Sequence, residues 1–207
     1  PKSQAAMLES MQERQVTIEK TSHLLPAPFL CFATQNPLET EGTYPLPEAQ
    51  LDRFAFKILV SYPEEFEEVE ILDRFTGEYT SYDKLDDIKP ILTSQEIIQY
   101  QKFIRTKISI SEELKKYIVR IVNLTRESEE VSLGGSPRAS LWLAIAAKSS
   151  AAMEGRTYVN PADIQKVAKN VLRHRIIIKP EYEFDGTTSE IIIDRILKHT
   201  PAPTIEK

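Results

Sequence analysis

Two helix starts written in nearly the same way constrain this chain most. Ser136 is followed by Pro137, and Asn160 by Pro161. Ser and Asn side chains accept hydrogen bonds from the free N–H groups of a first helical turn. Proline fits the first helical position because its missing N–H would have no partner there. Asp163 stands three residues after Asn160, and Ile164, Val167, Ala168, Val171 and Leu172 then fall on one face, predicting a core stripe. Ser111, followed by Glu112 and Glu113, predicts another start, with acids at the positive end of the helix dipole. Further helices are predicted over about 95–105 and 189–198. From Ser94 onward the chain therefore reads as a helical bundle.

The first third has a different grammar. A helix is predicted over 2–14, with Met7, Leu8 and Met11 at helical spacing, then a hairpin pairing 16–18 with 22–24 around Glu19-Lys20. The runs 29–33 and 54–60 are apolar without alternation, which predicts strands covered on both faces, as in a parallel sheet. A short helix is predicted over 47–53. Pro63 opens another, with Glu64, Glu65, Glu67 and Glu68 in its first turn and Phe66, Val69, Leu72 and Phe75 on its apolar face. The expected class is α/β followed by all-α, divided into 1–77, a polar linker 78–93, and 94–207.

Composition narrows the function classes. With 26 basic and 31 acidic side chains, the net charge of −5 argues against a general nucleic-acid binder. The one cysteine, Cys31, allows no internal disulfide; its apolar surroundings predict a buried, inert thiol, and a reducing, cytoplasmic setting fits. No apolar stretch approaches the roughly 20 residues that span a bilayer. The chain opens on Pro1 rather than Met, so it is expected to begin inside a longer protein.

Three polar residues stand where chemistry is expected. Asn36 follows an apolar run and precedes Pro37, which holds its backbone extended. In open α/β sheets ligands bind beyond the carboxyl ends of strands. Asn36 there either orients a water near a phosphate or caps its own loop, and on the residues alone the loop cap is simpler. Arg53 offers a planar, permanently charged fork to phosphate oxygens, or else pairs with its neighbour Asp52. Arg138 falls in the first turn after Ser136, the unfavourable end of the dipole for a cation. A docked anion reverses that sign; the alternative is a nearby carboxylate. The run Arg173-His174-Arg175 reads as a helix C-terminus complementing its dipole.

Five segments, in order and spacing, resemble one family. They are Glu9 to Thr17, Ala33-Thr34-Gln35-Asn36-Pro37, Gly42 to Phe54, Gly134-Gly135-Ser136-Pro137-Arg138-Ala139-Ser140, and Val171-Leu172-Arg173-His174-Arg175. Together they are similar to the MoxR-type AAA+ ATPases over nearly the whole chain, least from 77 to 107. The resemblance implies a partial P-loop AAA+ core carrying a parallel-sheet remnant, followed by a helical lid. It implies that Asn36 is sensor 1, that Arg53 is an arginine finger reaching a neighbouring subunit's nucleotide, and that Arg138 is sensor 2. It implies a hairpin before sensor 1 that faces substrate, with Lys20 and His23 as candidate contacts. ATP and Mg²⁺ are the implied cofactors of the full-length protein. The implied partners are further copies in a ring, expected to be hexameric, a client protein, and a von Willebrand factor A domain protein.

None of the six glycines opens a Gly-x4-Gly-Lys-[Ser/Thr] pattern, the phosphate cradle of such ATPases. Ile191-Ile192-Ile193-Asp194 imitates the acidic metal-holding strand, but Arg195 follows and the stretch lies in the last predicted helix. The 207 residues alone are thus expected to hold no nucleotide tightly. Two other readings stand beside the motor: a non-catalytic helical lid or adaptor module, and a DNA-remodelling ATPase like the MCM helicases, which the acidic balance counts against.

Overall fold

The structure, a computed structural model, describes residues 7, 9–11, 13–36, 46–76 and 88–203. Its packed core is confined to one part of the chain. Among the described residues, every buried hydrophobic side chain lies between Ile108 and Ile193.

That part is built from helices that begin where the caps predict. Helix α4 (Glu112–Glu127) is capped by Ser111, whose side chain accepts from the Leu114 N–H. Leu114, Tyr117, Ile118, Ile121, Val122 and Thr125 recur at helical spacing and are buried. Helix α5 (Pro137–Met153) starts at Ser136, and its buried face is mostly small: Ala139, Leu143, Ala146, Ala147, Ser150 and Ala151. Small side chains let α6 (Pro161–Leu172) lie close against it, and these two helices form the most extensive contact in the molecule. The predicted stripe of α6 is buried at Ile164, Ala168, Val171 and Leu172, with Val167 partly covered. Each such side chain contributes about 1.5–3 kcal/mol of burial. The Asn160 cap is reciprocal: Asp163 N–H donates to Asn160, and the Asp163 carboxylate accepts from the Asn160 N–H. Arg156 grips the same carboxylate through two bonds of 2.7 and 2.8 Å, so the start of α6 is held at both ends.

Helix α3 (Ser94–Lys107), with a capping box on Thr93 and Glu96, packs on α5, while α8 (Ser189–His199) packs on α4 and α6. Three short elements were not expected from the sequence. Strands β3 (Val131–Leu133) and β4 (Ile177–Ile178) pair antiparallel, and a short helix α7 (Pro180–Phe184) follows them. They are short enough that no periodicity announces them.

Upstream, residues 7, 9–11 and 13 are helical; the rest of the predicted 2–14 helix lies outside the described residues. The predicted hairpin forms one residue longer on β2, and one on β1: β1 (Gln15–Ile18) pairs antiparallel with β2 (Thr21–Leu24). Its two turn residues, Glu19 (φ 49°) and Lys20 (φ 68°), both have positive φ, the geometry of a tight type I′ hairpin. Glycine or asparagine usually supplies that conformation, so this turn is strained by roughly 1–2 kcal/mol per residue. Helix α1 (Glu48–Leu51) and helix α2 (Glu65–Thr76) fall where a helix was expected.

The two buried strands do not form. Residues 29–33 and 56–60 have no strand structure, and Phe32 is 89% exposed and Val60 92%. The sheets among the described residues are two-stranded and antiparallel, so the expected parallel-sheet remnant is corrected. An apolar run states a demand for burial; a strand also needs a neighbouring strand for its N–H and C=O groups, and among the described residues neither run has one. For the same reason Cys31, expected to be buried, is only half-covered. The apolar face of α2 likewise stays open, with Phe66 and Phe75 both exposed. Of the predicted linker, 78–87 lies outside the described residues, and 88–90 is irregular and exposed.

Candidate functional site

The site is assembled where the segment after α1 crosses the lid. Helix α1 ends at Leu51 with Asp52 as its C-cap, and residues 52–57 then lie against the C-terminal end of α6 and the start of α5. Contacts to the backbone of this segment seat it. Lys57 N–H donates to the Asn170 carbonyl at 2.9 Å, Arg173 donates to the Lys57 carbonyl at 3.2 Å, a His174 ring nitrogen meets the Phe54 carbonyl at 3.0 Å, and Arg175 reaches the Asp52 carbonyl at 2.8 Å.

Arg175 is the strut of this contact. Its side chain is 1% exposed. Its Nε donates to Asp52 Oδ1 at 2.9 Å, one terminal nitrogen donates to the Ala55 and Val171 carbonyls, and the other to the Asp52 and Phe54 carbonyls. A guanidinium has five N–H donors, and here each has an acceptor. Burying a charge is costly unless it is paired and fully hydrogen-bonded, and both conditions hold. Burial pulls the Arg175 guanidinium below its ordinary pKa, while the Asp52 carboxylate opposes that shift.

Asp52 is the hub. Its carboxylate accepts from Ser136 Oγ at 2.9 Å, from Arg138 at 2.8 Å and from Arg175. Burial would raise its pKa, but the bonds from Ser136, Arg138 and Arg175 outweigh that and hold it below the usual carboxylate range. Ser136 is placed by the two glycines before it. A Cβ on Gly134 would stand 2.7 Å from the Thr125 and Arg126 backbone, so only glycine lets this loop lie on the last turn of α4. Gly135 N–H then donates to Thr125 Oγ1 at 2.9 Å, and Arg126 Nε donates to the Gly135 carbonyl at 2.6 Å. The next residue reaches both Asp52 and the α5 N-terminus, where Ser136 Oγ accepts from the Arg138 N–H at 3.2 Å.

His174 sits in the same contact. Burial, reinforced by the neighbouring Arg175 charge, pushes its pKa down to about 4, so the ring is neutral at pH 7. Its Nδ1 is buried without a hydrogen-bond partner.

The expected site residues separate into two groups. Arg138 meets Asp52, and Arg53 is the neighbour of Asp52 in the chain. Asp52 does not pair with Arg53, the alternative weighed from the sequence; it is taken by Arg138 and Arg175. The Arg53 side chain is half-buried, and its Nε is buried without an acceptor. Arg138 pairs with a nearby carboxylate, as its own alternative anticipated, and its side chain remains 45% exposed. Asn36 is exposed at the end of the irregular 25–36 stretch. Lys20 and His23 are exposed on the hairpin, Lys20 in its turn and His23 opposite Val16. Residues 37–45, including much of the Gly42 to Phe54 motif, lie outside the described residues.

The reading of Arg173-His174-Arg175 as a dipole-complementing terminus is corrected. Helix α6 ends at Leu172, and all three side chains turn onto the 52–57 segment or onto Glu190, which Arg173 meets at 2.8 Å. The sequence does carry a signal. Arg175 stands between Val171-Leu172 and Ile176-Ile177-Ile178, surroundings in which a cation needs a dedicated carboxylate.

Comparisons with known proteins find a family and relatives for this chain. Residues 1–56 match the model of the "ATPase family associated with various cellular activities (AAA)", and residues 123–196 match the model of the AAA lid domain. The chain is 40% identical over 203 residues to the uncharacterized protein YeaC of Bacillus subtilis, covering 98% of this chain and 62% of that protein. It is 41% identical over 213 residues to the chaperone MoxR1 of Mycobacterium tuberculosis, covering 99% of this chain and 55% of that one. A crystal structure from Cytophaga hutchinsonii, described as that of an ATPase, superposes with a TM-score of 0.88 at 40% identity, over 98% of this chain and 63% of that one. The chain thus spans little more than half the length of these relatives.

Proposed function

The chain belongs to the MoxR family of AAA+ proteins, and from that premise we propose that it is part of an ATP-hydrolysing ring motor that remodels or matures client proteins. The observation that carries the proposal is the ion pair of Arg138 with Asp52, the chain neighbour of Arg53, at the seam between the upstream segment and the lid. Both arginines fit a phosphate. Arg53 has a buried Nε with no acceptor, and Arg138 is half-exposed and held by a single carboxylate oxygen. ATP, when bound, supplies the phosphoryl group.

In this reading Asn36 is sensor 1 and orients the attacking water, Arg138 is sensor 2, and Arg53 offers its fork to a neighbouring subunit's nucleotide. The neighbour requirement implies a closed ring, which we take to be a hexamer. Among the described residues no group of three or more His, Cys, Asp or Glu side chains could hold a metal, so Mg²⁺ would be held by residues other than these. The 207 residues by themselves contain no phosphate cradle and are proposed to bind ATP weakly and to be inactive alone. The hairpin tip, with Lys20 and His23, is the proposed client contact, and a von Willebrand factor A domain protein the proposed partner. The setting is proposed to be cytoplasmic; no helix of the described residues is long and apolar enough to cross a membrane.

ATP hydrolysis by the full-length protein tests this. Arg53→Ala is expected to lower kcat by about 10³-fold or more while leaving nucleotide affinity nearly unchanged. Undiminished turnover in that variant would remove the finger assignment. One observation favours the adaptor reading as a second possibility: the buried core lies wholly in the lid part. A full-length protein that binds clients but has no ATP turnover would decide for it.

A further inference from the structure

Asp52 carries two cations of unequal kind. Arg175 is 1% exposed and all five of its donors are engaged, by the Asp52 carboxylate and by four backbone carbonyls, so it cannot leave without giving up every one of these bonds. Arg138 is 45% exposed and touches the carboxylate through one bond of 2.8 Å. If Arg138 swings away, Asp52 is still neutralised by Arg175 and still accepts from Ser136. One cation is fixed; the other can leave without stranding a buried charge.

We infer that Asp52 is the resting counter-ion of Arg138, from which an incoming nucleotide phosphate must take the guanidinium. The inference rests on the proposed role of Arg138 as a nucleotide contact and adds a competitor to it. A phosphate oxygen and the Asp52 carboxylate seek the same donors on Arg138, so every increment of ion-pair strength subtracts from nucleotide affinity. Asp52 is a positioning residue in this scheme and touches no reacting atom. It adjoins Arg53 in the chain, so occupancy at Arg138 is sensed one residue from the finger.

Asp52→Asn separates the two cations. Asparagine keeps a carbonyl oxygen for Arg175 Nε and places an NH2 group where Arg138 docks. Equilibrium binding of ADP to the full-length protein is measured for Asp52→Asn, Arg138→Ala and the double variant. Asp52→Asn is expected to tighten ADP binding by about three- to tenfold, the range of a partly exposed ion pair. Arg138→Ala should weaken binding, and in its background the gain from Asp52→Asn should vanish. Unchanged affinity in Arg138→Ala would overturn the nucleotide role of Arg138, and the counter-ion with it. Weakened binding in Arg138→Ala, together with no gain in Asp52→Asn or a gain that survives in the double variant, would overturn the counter-ion alone. Should thermal unfolding show that Asp52→Asn does not fold, cryo-electron microscopy of the unsubstituted protein decides. Arg138 released from Asp52 when ADP is bound, with Arg175 still in place, supports the inference; Arg138 on Asp52 with and without ADP overturns it.

Discussion

The lid and the segment upstream of it carry similar side chains to opposite ends. In the lid, Leu114, Ile121, Leu143 and Ile164 are fully buried. Upstream, Phe32, Ile58, Val60 and Phe75 are exposed, although their runs are no less apolar. The difference lies in where the partner is. A lid helix finds its neighbours within about 80 residues of chain, because short connections fold α4, α5, α6 and α8 back on one another. A parallel strand needs a partner on each edge and a layer on each face. What ties the exposed region to the packed one is a polar seam: a buried arginine, a carboxylate, and the backbone between Asp52 and Lys57.

The largest effect that could break this contrast is at the seam. Replacing Arg175 by Met should destabilise the attachment of 52–57 to the lid by about 3–5 kcal/mol, because Asp52 loses its buried cation and the Asp52 and Ala55 carbonyls lose this donor. Hydrogen exchange checks it: the Lys57 amide, bonded to Asn170, should lose protection while the α4 amides keep theirs. Equal protection in both would mean that the seam is not held by this side chain.

Next in size is a matched pair of truncations. Leu143→Ala removes a fully buried side chain from α5 and should cost roughly 2–5 kcal/mol in thermal unfolding. Val60→Ala, at a site 92% exposed in this chain, should cost less than about 0.5 kcal/mol. Comparable losses would show that the upstream run is buried in solution.

Smaller than the loss at Leu143 is a pH dependence. The His174 pKa falls from 6.5 to about 4 on folding, so below pH 6.5 the unfolded chain binds more protons than the folded one. Stability is therefore complete above pH 6.5 and declines as pH falls toward 4. Allowing for partial solvent screening, the loss is on the order of 1–2 kcal/mol. Unfolding midpoints followed from pH 7 to 4.5 should drop in the wild type and drop less in His174→Gln.

Much of the lid is legible in the sequence because its signals are local. Ser111, Ser136 and Asn160 each act within three residues of themselves, and the structure starts α4, α5 and α6 at those caps. The hairpin is legible in outline, but not that Glu19 and Lys20 would take left-handed conformations. The strands over 29–33 and 54–60 were misread because an apolar run encodes burial without encoding who provides it. The seam was missed for a related reason. Arg175 meets Asp52 across 123 residues, and no periodicity spans that distance. The motif residues Arg53 and Arg138 were visible; the Asp52 carboxylate, which holds Arg138, was taken only as a partner for Arg53.

The central claim is that one subunit supplies Asn36 and the next supplies Arg53 to a shared nucleotide. Mixing two inactive full-length variants, Asn36→Ala and Arg53→Ala, tests it most directly. In a randomly mixed ring about a quarter of interfaces pair an intact Asn36 with a neighbour's intact Arg53. ATP hydrolysis is therefore predicted to reappear on mixing, at a fraction of the wild-type rate. Mixed rings that form yet stay as inactive as either variant alone would contradict the claim.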